Sequence, residues 1–218
     1  MKKIIIALSF FASTMTCYAQ TGWETVDNQQ EEVKQEKKAL FGNKKDKVIP
    51  AKYYKGAVTE ENGRVCWTKT YELPGLTGAD IYAKALATMQ RLVKTEKQTN
   101  KSIVAVVNRN TNQIGVRLCE HLVFSDKLLS LDQALFNYHL FVACSDGKCT
   151  VKLTNITYRY EIGRPTEVNY TAEEMISDAV SFNKKGTKYT KGGTKKFREK
   201  TIDRKDEVFV WIGEELKK

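Results

Sequence analysis

The sequence predicts an α+β domain, a curved antiparallel sheet with helices packed on one face. Two strong turn dipeptides, Asn62-Gly63 and Asp146-Gly147, sit between runs of strand-like residues, the pattern of β-hairpins. Apolar residues at helical spacing follow a capping signal at Thr77 and recur towards the C-terminus. The strand runs are joined by short connections, which favours antiparallel neighbours and leaves the helices to cover one face. The predicted order is strand, helix, four strands, helix, helix.

The domain begins near Lys52. Residues 53–58 approach a strand, Asn62-Gly63 turns the chain, and Arg64 to Tyr71 is the first full strand. Pro74-Gly75 ends it. Thr77 with Asp80 opens a helix in the manner of a capping box with a shorter acid. Its apolar stripe is Ile81, Tyr82, Ala85, Leu86, Met89, Leu92 and Val93, and the polar run 94–100 closes it. Four strands follow, over 102–108, 113–124, 134–144 and 149–162. In the last, apolar parity shifts from Cys149, Val151 and Leu153 to Ile156, Tyr158 and Tyr160, which predicts a bulge near Thr154-Asn155. Beyond Pro165, Thr171 and Glu174 cap a second helix whose apolar side is Met175, Ile176, Ala179 and Val180. A basic loop over 186–193 leads to a terminal helix with the stripe Ile202, Phe209, Ile212 and Leu216.

The N-terminus predicts export. Lys2 and Lys3 precede an apolar run from Ile4 to Ala12, too short for a membrane span, and Cys17-Tyr18-Ala19 offers a cleavage site after Ala19. The signal peptide is thus 1–19, a polar linker covers 20–51, and a single domain covers 52–218. Lipidation at Cys17 fits poorly, because Thr14, Met15 and Thr16 do not make a lipobox. Taking Lys2 and Lys3 off the formal charge of +10 leaves +8, a basic balance that suits anionic membrane or polyanion surfaces without selecting one.

Several words of the chain carry a resemblance. They are Lys52-Tyr-Tyr-Lys-Gly-Ala-Val, Asn62-Gly-Arg-Val, Glu120-His-Leu-Val-Phe, Asn137-Tyr-His-Leu, Asp146-Gly-Lys-Cys, Ile156-Thr-Tyr-Arg-Tyr, Tyr170-Thr-Ala-Glu-Glu and Lys196-Phe-Arg-Glu-Lys-Thr-Ile-Asp. Together, over about residues 52–215, they resemble a family of exported Bacteroidetes proteins of unknown function with a TATA-binding-protein-like (TBP-like) fold. The resemblance implies that fold and compartment and brings no catalytic residues with it. The fold label does not make nucleic acid a partner, since fold does not fix function.

Strand alternation sorts residues by face. Ile114, Val116, Leu118, Leu122 and Phe124, then Phe136, Tyr138, Leu140, Val142 and Cys144, belong to the core face. The opposite face carries Arg117, Cys119, His121, Val123, Asn137, His139, Phe141, Ala143, Thr150 and Lys152. Arg117, His121, His139, Phe141 and Lys152 are the candidates for a ligand or partner surface. Pairing Phe124 with Phe136 would set His121 opposite His139 and Cys119 opposite Phe141. That is too little for a metal site or a nucleophile pair, and no cofactor motif is present. Glu120 interrupts an apolar row, so it should meet Lys84, Arg91 or a helix end.

Four cysteines follow the cleavage site. Cys144 and Cys149 flank the Asp146-Gly147 turn as a directly opposed pair and are the disulfide candidate in an oxidising compartment. Cys66 and Cys119 would pair only if their strands were neighbours. Lys184, Lys185, Lys188, Lys191, Lys195, Lys196 and Arg198 are read as one acid-free basic loop, a candidate grip for phosphate or an anionic membrane. The chain therefore reads as an exported, non-enzymatic binding or interaction module of the periplasm or cell envelope, its partner an envelope protein or a small ligand. The alternatives are a structural partner of an envelope complex and an enzyme of unrecognised type.

Overall fold

A computed structural model describes residues 48–127, 130–190 and 192–218. The expected signal peptide and all of the expected linker before Val48 lie outside the described residues, as does Lys191. Ala51–Tyr53 forms a single 3₁₀ turn. The short hairpin β1 (Glu60–Glu61) and β2 (Arg64–Val65) turns at Asn62 and Gly63, both with positive φ, as the dipeptide predicts. Then come β3 (Trp67–Glu72), α1 (Gly78–Leu92), β4 (Ile103–Asn108), β5 (Gln113–Lys127), β6 (Ser130–Ser145) and β7 (Lys148–Tyr160). The chain ends with β8 (Val168–Thr171), the one-turn helices α2 (Ala172–Met175) and α3 (Asp178–Ser181), and α4 (Gly192–Lys217).

The main sheet is antiparallel throughout, in the order β3-β7-β6-β5-β4, with β8 pairing the far end of β7. Helices α1 and α4 pack against one face. Thr77 caps α1 through a complete capping box with Asp80, and Ile81, Tyr82, Ala85, Met89 and Leu92 turn inward. They meet Leu118, Phe136, Tyr138, Leu140 and Val151 of the sheet, with Phe197, Ile202, Ile212 and Leu216 of α4 completing the core. Asn155 has positive φ, and the β6–β7 register shifts beside it between Asn137 and His139, the bulge that the parity change predicts.

Four expectations need correction. The β5–β6 register pairs Glu120 with Phe136, not Phe124 with Phe136, so Arg117 rather than His121 lies opposite His139. The strands run on to Lys127 and begin again at Ser130, closing a tighter hairpin than expected, and a bulge at Val123–Ser125 absorbs a residue. The displacement is even, so every residue keeps its face while its cross-strand partner changes. The expected second helix breaks at Ile176 into α2 and α3, and Val168–Thr171, where no strand is expected, is a strand. Finally, α4 starts at Gly192, so Lys195, Lys196 and Arg198 are helical rather than part of a loop. Its first turns bury Thr194, Phe197, Arg198 and Thr201, and such polar residues hide a helical stripe from an apolar count.

Candidate functional site

Register and alternation place one transverse row on the sheet face away from the helices. Val106 of β4 pairs Gly115 of β5, which pairs Phe141 of β6, then Lys152 of β7, then Thr68 of β3. The next row is Asn108, Gln113, Ala143, Thr150 and Thr70. A hollow of ≈ 680 Å³ lies over these rows, apolar along Val106, Phe141 and Ala143 and polar at Thr68, Thr150 and Lys152. That volume suits a small ligand or a peptide side chain.

Gly115 shapes this hollow. A Cβ there would lie 2.6 Å from Cγ2 of Val106, so only glycine lets Val106 lean across the edge of β5. Phe141 stands exposed beside it at 47%, lining two further hollows as well as the first. One of them, of ≈ 220 Å³, continues to Arg117 and His139. The other, of ≈ 310 Å³, reaches the β1–β2 hairpin, where Lys152 pairs with Glu61. His139 Nδ1 accepts from Asn155 Nδ2 at 3.2 Å, which leaves the ring proton on Nε2. Burial, with the Arg117 guanidinium nearby, holds the His139 pKa below its ordinary value. The ring is therefore biased towards the neutral form.

Arg117, His139, Phe141 and Lys152 thus come together, as alternation predicts. His121 does not: it lies opposite Leu135, four residues along β5 from Arg117, a run of about 13 Å. The imagined cluster of His121, His139 and Cys119 is dissolved by the register. Among the described residues no group of three His, Cys, Asp or Glu side chains is placed to hold a metal ion. The sequence reading missed Val106 and Gly115. The signal was an isolated glycine inside a strand pattern, which marks close approach of a neighbour.

Glu120 is buried on the helix side and is held by three side chains through four hydrogen bonds. Arg204 of α4 clamps it with Nε to Oε1 at 2.9 Å and a terminal nitrogen to Oε2 at 2.8 Å. Gln98 donates at 2.8 Å and the Tyr138 hydroxyl at 3.0 Å. The charged partner is Arg204, in place of the expected Lys84 or Arg91. The latter pairs with Glu215. This cluster is a structural clamp between sheet and helix.

The basic run does not act as one grip. Arg198 is fully buried, donating to the carbonyls of Tyr53, Tyr54 and Ile176 and to Asp178, with its guanidinium over the Phe182 ring. Lys196 binds Asp132 and the Tyr160 hydroxyl and lies over the Tyr160 ring at 4.3 Å. Lys184, Lys185, Lys188 and Lys195 are exposed. Burial could not be read from a run of like charges, because a long cationic side chain can point either way.

Cys144 and Cys149 are directly opposed, as the turn predicts. Both are thiols here, with sulfurs 4.0 Å apart, so the expected bond is not formed in this structure. The hydrogen bond with Cys144 and burial push the Cys149 thiol up. Cys66 and Cys119 are separated by β7 and β6, about 14 Å of sheet, and cannot pair.

Among the described residues no helix is long and apolar enough to cross a membrane. Residues 67–159 match the family described as a domain of unknown function (DUF4468) with TBP-like fold. A crystal structure of a DUF4468 family protein from Bacteroides ovatus ATCC 8483 is similar at a TM-score of 0.71 and 33% identity, covering 78% of this chain and 96% of that one. A TBP-like protein from Parabacteroides distasonis ATCC 8503 shares the fold at a TM-score of 0.56 and 20% identity, covering 73% and 97%. No curated protein matches the chain.

Proposed function

The chain belongs to the DUF4468 family of domains of unknown function with a TBP-like fold, and from that premise we propose that it is an exported, non-enzymatic binding module of the periplasm or cell envelope. The observation that carries this reading is the continuous furrowed surface centred on Phe141, where a glycine floor, an exposed aromatic ring and the polar heads of Arg117, His139 and Lys152 adjoin. A ligand pocket has that composition: an apolar bed with a few polar groups to fix orientation. Catalysis would need a nucleophile or acid–base pair with an orienting partner. His139 is hydrogen-bonded to the Asn155 amide and faces the Arg117 guanidinium, with no carboxylate among the described residues to orient it, and Lys152 is paired with Glu61. Neither arrangement generates a nucleophile.

Export is supported by the order of charge, apolar run and small-residue site over residues 2–19. An oxidising compartment in turn favours a Cys144–Cys149 bond, the two thiols giving up two protons and two electrons to a disulfide donor. A role as a structural partner in an envelope complex uses the same surface and differs only in the occupant.

The test is capture of the full chain from its native envelope, beside a Phe141→Ser variant, with mass spectrometry of whatever co-purifies. Species held by the parent chain and lost by the variant support the reading. Identical retention by both would overturn it. The same material reports its first residue: Gln20 supports export, whereas Met1 sinks it.

A further inference from the structure

Strand β4 is an edge blunted by little more than a bulge. It ends the sheet order, and among the described residues no backbone or strand pairs its outer side. Its six residues, Ile103 to Asn108, include no charge. Ile103, Val106 and Val107 are 47%, 64% and 54% exposed. Natural proteins protect such edges with inward charges, proline or a covering element, because a bare row of N–H and C=O groups recruits another strand. Among the described residues the bulge between Val104 and Val106 is the one such device, and it sets Val106 over Gly115 beside the Phe141 hollow.

The ends of the strand are charged alike. Lys101 precedes it and Arg109 follows it, both exposed, and no carboxylate among the described residues pairs with either. Arg117 of β5, directly opposite Ile103, adds a third cation that no carboxylate among the described residues pairs. Antiparallel pairing of β4 with β4 of a second copy would bring the Lys101 end of each against the Arg109 end of the other. Like charges so placed oppose self-pairing, and the net positive charge of the chain adds to the repulsion. The same pattern welcomes a strand whose ends are acidic.

We propose that β4 receives an extended segment of a partner protein, apolar along its middle and acidic at its ends, as an added strand of the sheet. Main-chain hydrogen bonds to β4 give the affinity, and alternate side chains of the guest lie beside Val106 at the rim of the hollow. This deepens the binding reading above and rests on it, by naming the partner class and the line of entry.

The probe is a short synthetic peptide of alternating Val and Thr with Asp at both ends, beside the same core with Lys at both ends. Amide hydrogen exchange of the labelled full chain is followed by NMR. The expected result is slowed exchange over residues 103–108 with the Asp-ended peptide, and about ten-fold weaker binding of the Lys-ended one at low salt. Ile103→Lys, remote from Phe141, is expected to abolish the protection while leaving the unfolding midpoint unchanged. Shifts around Phe141 with no slowing in β4 would overturn strand addition and leave the hollow as the site. Equal protection by both peptides, or protection that grows with protein concentration alone, would overturn the acidic-ended partner. No response to either peptide overturns the edge proposal, while the Phe141→Ser capture experiment decides the hollow separately.

Discussion

Glu120 sits 1% exposed between Leu118 and Leu122, positions where a carboxylate is costly unless its charge is met. Its three donor side chains repay that cost, and Arg204 contributes most because it alone among them is charged. Arg204→Met should leave the carboxylate buried and unpaired, destabilising the protein by about 3–5 kcal/mol in urea unfolding. A double change to Glu120→Met and Arg204→Met removes both charges and should be markedly milder. A single variant as stable as its parent would mean that the pair carries no stability. Sequence alone made the need for a partner legible at this residue. It could not name Arg204, which lies 84 residues away and becomes a neighbour only when α4 docks on β5.

At the scale of elements, the β6–β7 hairpin is the clearest case of local sequence deciding geometry. Asp146-Gly147 takes the turn, Gly147 has positive φ, and the two flanking cysteines end up opposite each other. The amide of Cys144 bonds to Asn112 rather than across to Cys149, so the pair is of the closely spaced, non-hydrogen-bonded kind. Material secreted through an oxidising compartment is therefore expected to yield, without reductant, a peptide linking Cys144 and Cys149, with Cys66 and Cys119 free. Mass mapping that finds four free thiols, or any link to Cys66 or Cys119, would contradict this. The β5–β6 hairpin shows the opposite case. Its turn carries no strong dipeptide, the alternation fixed only which face each residue occupies, and the pairing of His121 with His139 failed by an even number of residues.

For the whole molecule, Arg198 does what no local pattern announces. It gathers the 3₁₀ turn near Tyr53, the end of α2 and Asp178 of α3 onto the start of α4. Arg198→Lys keeps the charge but offers a point donor in place of a planar fork, so the contacts cannot all be remade. It should cost about 3 kcal/mol or more and speed amide exchange over residues 50–56 and 176–178. Lys184→Glu with Lys185→Glu, both exposed, should shift stability by no more than about 0.5 kcal/mol. The two variants set the buried Arg198 apart from the exposed Lys184 and Lys185 within a run that looked uniform. By itself the sequence determined the elements with local signals: the Asn62-Gly63 and Asp146-Gly147 turns, the Thr77 cap, the bulge at Asn155 and the faces of the residues it sorted on β5, β6 and β7. Those features depend on backbone conformation and on a period of two, which a few neighbouring residues specify. Only the tertiary structure decided the register of β5 on β6, the partner of Glu120, the burial of Arg198 and the bare edge at β4. Each of these is set by which distant surfaces meet when the sheet closes against the helices, and that is a property of packing rather than of any stretch of chain.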